Sequence, residues 1–388
     1  MRKVYLDNSA TTPVNREVLS AISKYWSLDF ANPSSIHSMG VKAKVALQKS
    51  RKTIADFISG HDREIIFTSG GTESNNLAIF GLINSIRKEG RKYSDIHLIT
   101  TEIEHSSILE CFKELETRGA KVDYLKVNEF GLVNSKDLRE LINKKTVLIS
   151  VGYANSEIGV IQPIKEIIKE IRHFRKEKTS KVPYLHIDAS QAGLYLNMNV
   201  EELGVDLMTL DAQKMYGPKG VGALYLRHGV DVSPIMFGGG QEKGMRSGTE
   251  NIPLIVGFAK TVELAQKNKI KENERLTKIR NYFFENIIKF VPDAIINGCT
   301  EERIPNNINI SIPEQDGEML VFRLDEAGFI VSSSSACASG SGESEVVKKI
   351  SQDSDRAKST LRFSMGKDTT LGDIKKLLIT LKKLCQKY

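Results

Sequence analysis

From residue 64 onward, short runs of β-branched and apolar residues alternate with longer stretches whose apolar positions recur at helical spacing. The runs at 64–68, 96–101, 122–126, 146–151, 184–188, 206–210 and 221–226 read as strands. Between them, 75–88, 107–117, 135–143 and 164–177 read as helices. Such alternation predicts an α/β layer fold around a largely parallel sheet of seven strands. A long amphipathic stretch at 254–290 follows, and the pattern then changes. Strand candidates at 307–312, 330–332 and 360–364 alternate with helices at 317–327, 343–350 and 371–386, the mark of a smaller α+β domain. The expected division is a large domain over 15–258 and a small one built from 1–14 and 259–388.

Composition narrows the class without naming an activity. Of 388 residues, 40% are hydrophobic and 27% charged, as in ordinary globular proteins. No apolar run approaches the roughly 20 residues that span a bilayer, and the first residues carry no apolar signal core. A cytoplasmic protein without a membrane partner is expected. The net charge of +7 comes from scattered lysines, densest between Lys260 and Lys289. No aromatic residues are interleaved to stack on bases, so that stretch reads as a solvated helix face and no direct nucleic-acid binding is expected. The four cysteines, Cys111, Cys299, Cys337 and Cys385, lie far apart without CxxC or Cys/His spacing. Neither a metal site nor a disulfide framework is indicated.

Chemistry collects in a few places. Cys337 sits in a Ser/Gly tract, Ser332 to Gly342, with little to pack around it. That is either an incidental cysteine in a flexible loop or a thiol on an arm that reaches, reacts and withdraws. Ligands of open α/β sheets bind at the carboxyl ends of strands, and polar residues cluster there. Gly70-Gly71-Thr72 stands between a strand and a helix, an arrangement that suits an anion such as phosphate. It matches neither a Walker A loop nor a GxGxxG fingerprint. Asp188 at a strand end either caps the next segment or holds a protonated ring nitrogen. Lys214, in a Gly/Pro-rich turn, completes a set of Schiff-base lysine, pyridinium partner and phosphate cradle, which is what pyridoxal 5'-phosphate requires.

Several motifs in order carry a resemblance over nearly the whole chain. They are Tyr5-Leu6-Asp7-Asn8-Ser9-Ala10-Thr11-Thr12-Pro13, Ala31-Asn32-Pro33-Ser34-Ser35, and Phe67 through Asn76. Met215 through Gly220, Gly244 through Thr249, Ser335-Ala336-Cys337 and Leu361-Arg362-Phe363-Ser364 follow. The sequence resembles cysteine desulfurases of the NifS/IscS type, within the class V aminotransferase group of fold-type I pyridoxal-phosphate enzymes. The resemblance implies that Lys214 binds the cofactor and shuttles protons, that Asp188 pairs with its ring nitrogen, and that Gln191 reaches its ring hydroxyl. It implies that His105 stacks on the ring and assists proton transfer, and that Gly71 and Thr72 hold the phosphate, with Asn155 and Gln213 as further contacts. Thr249 would reach the phosphate of a neighbouring subunit, which implies a homodimer. Arg362 would clamp the carboxylate of L-cysteine, with Asn32, Ala10 and Thr11 lining that pocket. Cys337 would take the sulfur as a persulfide, leaving alanine, for iron–sulfur assembly or tRNA thiolation through a sulfur-acceptor protein.

The chain departs from that pattern near the lysine. Asp211-Ala212-Gln213-Lys214 stands where Ser-Gly-His-Lys or Ser-Ala-His-Lys is usual, and Asn155-Ser156-Glu157 replaces Asn-Asn-Glu. An ionised Asp211 beside a phosphate is repulsive, so the expectation is a carboxylate turned elsewhere or a more loosely held cofactor. The 25 positions from Cys337 to Arg362 match the long loop of the NifS/IscS group. Alternatives on the same fold are a selenocysteine lyase, an aminotransferase, or a family member that has lost catalysis.

Overall fold

The computed structural model describes residues 3–333 and 342–386; Cys337 lies outside them. The strands are β1 (Val4–Tyr5), β2 (Ile65–Thr68), β3 (His97–Thr101), β4 (Lys121–Leu125), β5 (Thr146–Gly152) and β6 (Tyr184–Asp188). They continue with β7 (Leu207–Asp211), β8 (Gly222–Leu226), β9 (Ile295–Ile296), β10 (Asn307–Ser311), β11 (Phe329–Ile330) and β12 (Thr360–Ser364).

Seven of these form the central sheet in the order β2-β8-β7-β6-β5-β3-β4. Only β8 runs against the others, so β2 through β7 end on the same side. Period-two alternation inside the apolar runs sends successive residues to opposite faces. Ile66, Leu98, Leu148, Leu207 and Leu224 pack with the helical run 71–88 and the helix Ser106–Thr117. Ile65, Phe67, Ile99, Ile149, Leu185 and Met208 pack on the other face with the helices Ser38–Phe57 and Ile164–Lys178. Both faces are covered, which is why these strands read as continuous hydrophobic runs.

A second core gathers around the antiparallel sheet β12-β10-β9 and the short parallel pair β1-β11. The 39-residue helix Ile252–Phe290 serves both. Its Ile252, Ile255, Phe258 and Val262 lie in the large core, whereas Leu276, Ile279, Phe283 and Ile287 lie in the smaller one. Among the described residues no helix is long and apolar enough to cross a membrane, and no cluster of three His, Cys, Asp or Glu side chains is set to hold a metal.

The strand and helix expectations from residue 64 onward hold within a few residues. The helix expected at 75–88 starts at Gly71, because Ser69 N–H is taken by the Glu73 carboxylate and the turn closes early. The strand expected at 330–332 shortens to Phe329–Ile330, with Ser332 joined separately to Arg362. The alternating pattern predicts no strand or helix in the first 60 residues, yet they hold β1, the helix Arg16–Ser23 and the helix Ser38–Phe57. That last helix buries Gly40, Ser50 and Arg51 while exposing Met39, Val41 and Val45, which blurs its apolar stripe.

Candidate active site

A cavity of about 330 Å³ opens where β2, β3, β5, β6 and β7 end. Lys214, Asp188, His105, Gln191, Gly71, Thr72, Asn155, Gln213, Ala10 and Arg362 all line it. Residues from the first fifteen positions to position 362 are thus gathered by one sheet edge and the small core beside it.

Asp188, the last residue of β6, is held at both oxygens: Ser190 N–H donates to Oδ1 at 2.9 Å and Asn75 Nδ2 to Oδ2 at 2.8 Å. Asn75 Nδ2 also donates to Ser107 Oγ at 2.8 Å, and Ser107 Oγ meets His105 Nδ1 at 2.8 Å. Since Ser107 N–H also donates to that Nδ1, at 3.1 Å, Nδ1 acts as an acceptor and the ring presents Nε2 away from this network. Asn75 and Ser107, to which the sequence pattern assigns no role, join Asp188 to His105. Their polar positions in the strand-end clusters were the available signal. Below Asp188 on the same face of β6, His186 is fully buried between Ser150 Oγ (2.8 Å) and Thr209 Oγ1 (3.1 Å). Burial pushes its pKa down to about 4, so it packs as a neutral ring.

Lys214 Nζ donates to the carbonyls of Ser9 at 2.7 Å and Ala10 at 2.6 Å. The same N-terminal segment receives Gln191 Nε2 on Ser9 O at 3.0 Å. The turn after Lys214 is strained: Tyr216 adopts φ 65°, and the strain is held by Thr12 Oγ1 accepting from Tyr216 N–H and Tyr216 O accepting from Asn15 N–H. The segment 7–15 therefore roofs the lysine. Thr11 lies at that roof with its hydroxyl 3.4 Å from Gln213 Oε1.

At the other side of the cavity Arg362 projects from β12, 1% exposed. Its Nη2 donates to Asp7 Oδ1 at 2.8 Å and its Nη1 to Ser156 O at 3.3 Å, while buried Nε meets no acceptor among the described residues. Glu104 lines the cavity and is buried, Oε1 accepting from Thr101 Oγ1 (2.6 Å) and Gly152 N–H (2.9 Å). Burial, with Asp188 adding repulsion, pushes its pKa up to about 7.

Three expected positions differ from the rest. Asn155 lines the cavity, but its side chain is occupied in the adjoining turn, donating to Ile103 O and accepting from Glu157 and Ile158 N–H. Asn32 is exposed and caps Ser34 N–H, outside the cavity. Thr249 lies in a separate cleft with Thr68, Ser69, Gly220 and Arg246.

The residues present suit a flat, phosphorylated, basic-nitrogen ring. Gly71 opens the helical run 71–88, whose first N–H groups lack intrahelical partners. A Cβ built on Gly71 comes within 3.0 Å of Ser190 Oγ, so only glycine leaves that cradle open. Among the described residues, buried Asn75 Oδ1 and Arg362 Nε meet no partner and mark two further unmet polar positions. Asp211 alone fits poorly, as it brings a carboxyl to the cradle.

Comparison with known proteins agrees with this fold. The class-V aminotransferase model matches residues 4–377. A cysteine desulfurase IscS of Dictyoglomus turgidum is 42% identical over 387 residues, covering all of this chain and 95% of that protein. Among solved structures, a NifS-like protein superposes with a TM-score of 0.90 at 33% identity, covering 98% of this chain and 99% of the other. A structure described as SspA in complex with cysteine gives 0.79 at 33% identity, covering 93% and 98%. With a fold-type I architecture, a strand-end cavity and full-length similarity in agreement, the chain belongs to the class-V aminotransferase family, among its NifS/IscS-type members.

Proposed function

We propose that the chain is a pyridoxal-phosphate-dependent cysteine desulfurase that converts L-cysteine to L-alanine and collects the sulfur as a persulfide on Cys337. The observation that carries this reading is the convergence of Lys214, Asp188, the Gly71 helix start and Arg362 on one cavity.

Lys214 would bind the cofactor, with Asp188 at its ring nitrogen, Gln191 near its ring hydroxyl, and Gly71, Thr72 and Ser190 around its phosphate. When bound, the cofactor supplies an aldehyde that captures the substrate amine and a ring that draws electrons from the substrate carbons. Arg362 takes the substrate carboxylate, aided by its unpaired Nε, with Asp7 fixing the guanidinium plane. Lys214 and His105 move protons at the substrate carbons; the serine contact at His105 Nδ1 leaves Nε2 for that work. Cys337 Sγ attacks the substrate sulfur, forming an S–S bond as the C–S bond breaks. The thiol proton and the substrate hydrogens are retained between the methyl group of alanine and the terminal S–H. Cys111 and Cys385 are poor candidates for that attack, because burial pushes their thiols up to about 12 and about 11.

A homodimer is supported by large exposed apolar side chains, Ile36 at 97% and Phe237 at 84%, with Trp26, Leu28 and Phe30 nearby in sequence. Thr249 would then serve the neighbouring subunit's phosphate. The persulfide would pass to an acceptor protein of iron–sulfur assembly or tRNA thiolation, in the cytoplasm. The test is to load the purified chain with pyridoxal phosphate, add L-cysteine, and measure alanine together with protein-bound persulfide. Alanine from the wild type, none from Lys214→Ala and no persulfide on Cys337→Ala is the expected pattern. Undiminished turnover by Cys337→Ala would overturn the persulfide role, and preference for selenocysteine would favour the lyase.

A further inference from the structure

Asp211 ends β7 and is 5% exposed. A Cβ placed on Gly71 lies 3.3 Å from Asp211 Oδ2 and 3.0 Å from Ser190 Oγ. Carboxyl, hydroxyl and the first turn of the helical run 71–88 therefore close on the same few ångströms, at the end of the cavity that favours an anion. An ionised carboxylate there opposes an anion, whereas a neutral carboxyl has an O–H to offer it. The local bonds admit the neutral form. Oδ1 accepts from Gln213 N–H at 3.2 Å, and Oδ2 accepts from Gln213 Nε2 at 3.1 Å while keeping a direction for a proton.

We propose that Asp211 is a phosphate-holding residue that works as a neutral acid: binding of the cofactor draws one proton from solvent onto its carboxyl, which then donates a hydrogen bond to the phosphate. The inference rests on the pyridoxal-phosphate reading above. Burial already pushes the Asp211 carboxyl above its ordinary value, Gln213 and Lys214 pull it back, and Asp188 at the end of β6 pushes it up. From the helix at Gly71 the acidic neighbour is Glu73, which is turned to Ser69 N–H and to Arg246 at 2.8 Å. His105 lines the same cavity, and the β8 end at Gly222 brings no charge. A bound phosphate adds negative charge and raises the Asp211 pKa further. Affinity consequently falls as pH rises through that value, because the bound state then has to keep a proton that the free state has lost.

The test uses pyridoxine 5'-phosphate, which has the ring and phosphate but no aldehyde, on the cofactor-free full chain. Its Kd and the protons taken up are measured by calorimetry between about pH 6 and 9 in two buffers of different ionisation enthalpy. Wild type is compared with Asp211→Asn and Asp211→Ser, both permanently neutral. The ratio of wild-type to variant Kd is expected to rise by up to about tenfold per pH unit above the free Asp211 value. The wild type should take up about one proton more than either variant, and pyridoxine without its phosphate should show no such difference. Equal pH profiles and equal proton uptake in all three proteins would overturn the role of Asp211 while leaving the cofactor reading intact. Tighter binding by the wild type at high pH would overturn it too. Failure of all three to bind at any pH would overturn the cofactor reading and this inference with it.

Discussion

Arg362 and Asp7 pair on the small-core side of the cavity, Nη2 to Oδ1 at 2.8 Å. The two are brought together because Asp7 bridges Ser364 in parallel, two residues beyond Arg362 on β12. A guanidinium this deeply buried needs its partner, since removing one member of a buried pair leaves an uncompensated charge. It also keeps Nε in reserve, so the pair fixes the direction of the fork without exhausting its donors.

Asp7→Asn should therefore raise the KM for cysteine about tenfold, as expected for loss of one charge-assisted hydrogen bond, with a smaller change in kcat. Arg362→Ala should lower kcat/KM by at least about a hundredfold. Steady-state kinetics on protein loaded with pyridoxal phosphate separate the two effects. An unchanged KM in Asp7→Asn would mean that Asp7 does not position the clamp.

Glu104 gives a pH signature in stability. Its pKa is raised from 4.5 to about 7, so the folded state holds its proton after the unfolded chain has lost it. Stability contributed by the neutral carboxyl is complete below about pH 4.5 and is lost as pH rises to about 7. Glu104→Gln keeps an acceptor for Gly152 N–H and cannot ionise. It should flatten this dependence and be more stable than the wild type at pH 8, by up to about 3 kcal/mol. Denaturant titrations at pH 4.5 and 8 measure the difference.

Gly71→Ala isolates the cradle from the fold. The helix geometry at this position admits alanine, but the new methyl group would crowd Ser190 Oγ and Asp211 Oδ2. The cofactor-free variant should melt within a few degrees of the wild type, whereas its Kd for pyridoxal phosphate should rise at least about tenfold. Equal affinity would place the phosphate elsewhere.

How much of this was legible in the sequence varies with the kind of signal. The seven strands of the central sheet were readable because both faces are covered and most of their positions are β-branched or apolar. The polar residues after each strand pointed to the cavity for the same topological reason. The helix Ser38–Phe57 was hidden because its inward face mixes Leu47, Ile54 and Phe57 with Arg51, bound to Glu242, and small residues, while Met39, Val41 and Val45 point out. Asn75 and Ser107 were unassigned because a hydrogen-bond chain between Asp188 and His105 exists only once distant strand ends meet. Asp7 gave no hint of its partner 355 positions away.

The outward apolar side chains give a prediction of assembly. Ile36→Asp with Phe237→Asp should shift the protein from dimer to monomer in sedimentation velocity, with cofactor binding weakened if Thr249 serves the neighbouring subunit. A wild type that sediments as a monomer at micromolar concentration would remove the basis for that role.

The helix Ile252–Phe290 has a mechanical consequence. At about 1.5 Å per residue it is a rod of about 58 Å, anchored at one end among the side chains below Lys214 and at the other among those behind Arg362. Swinging the clamp away from the lysine would require bending this rod or tearing it from one of its beds. The spacing between Lys214 and Arg362 is thus held by a strut that is seated in both cores.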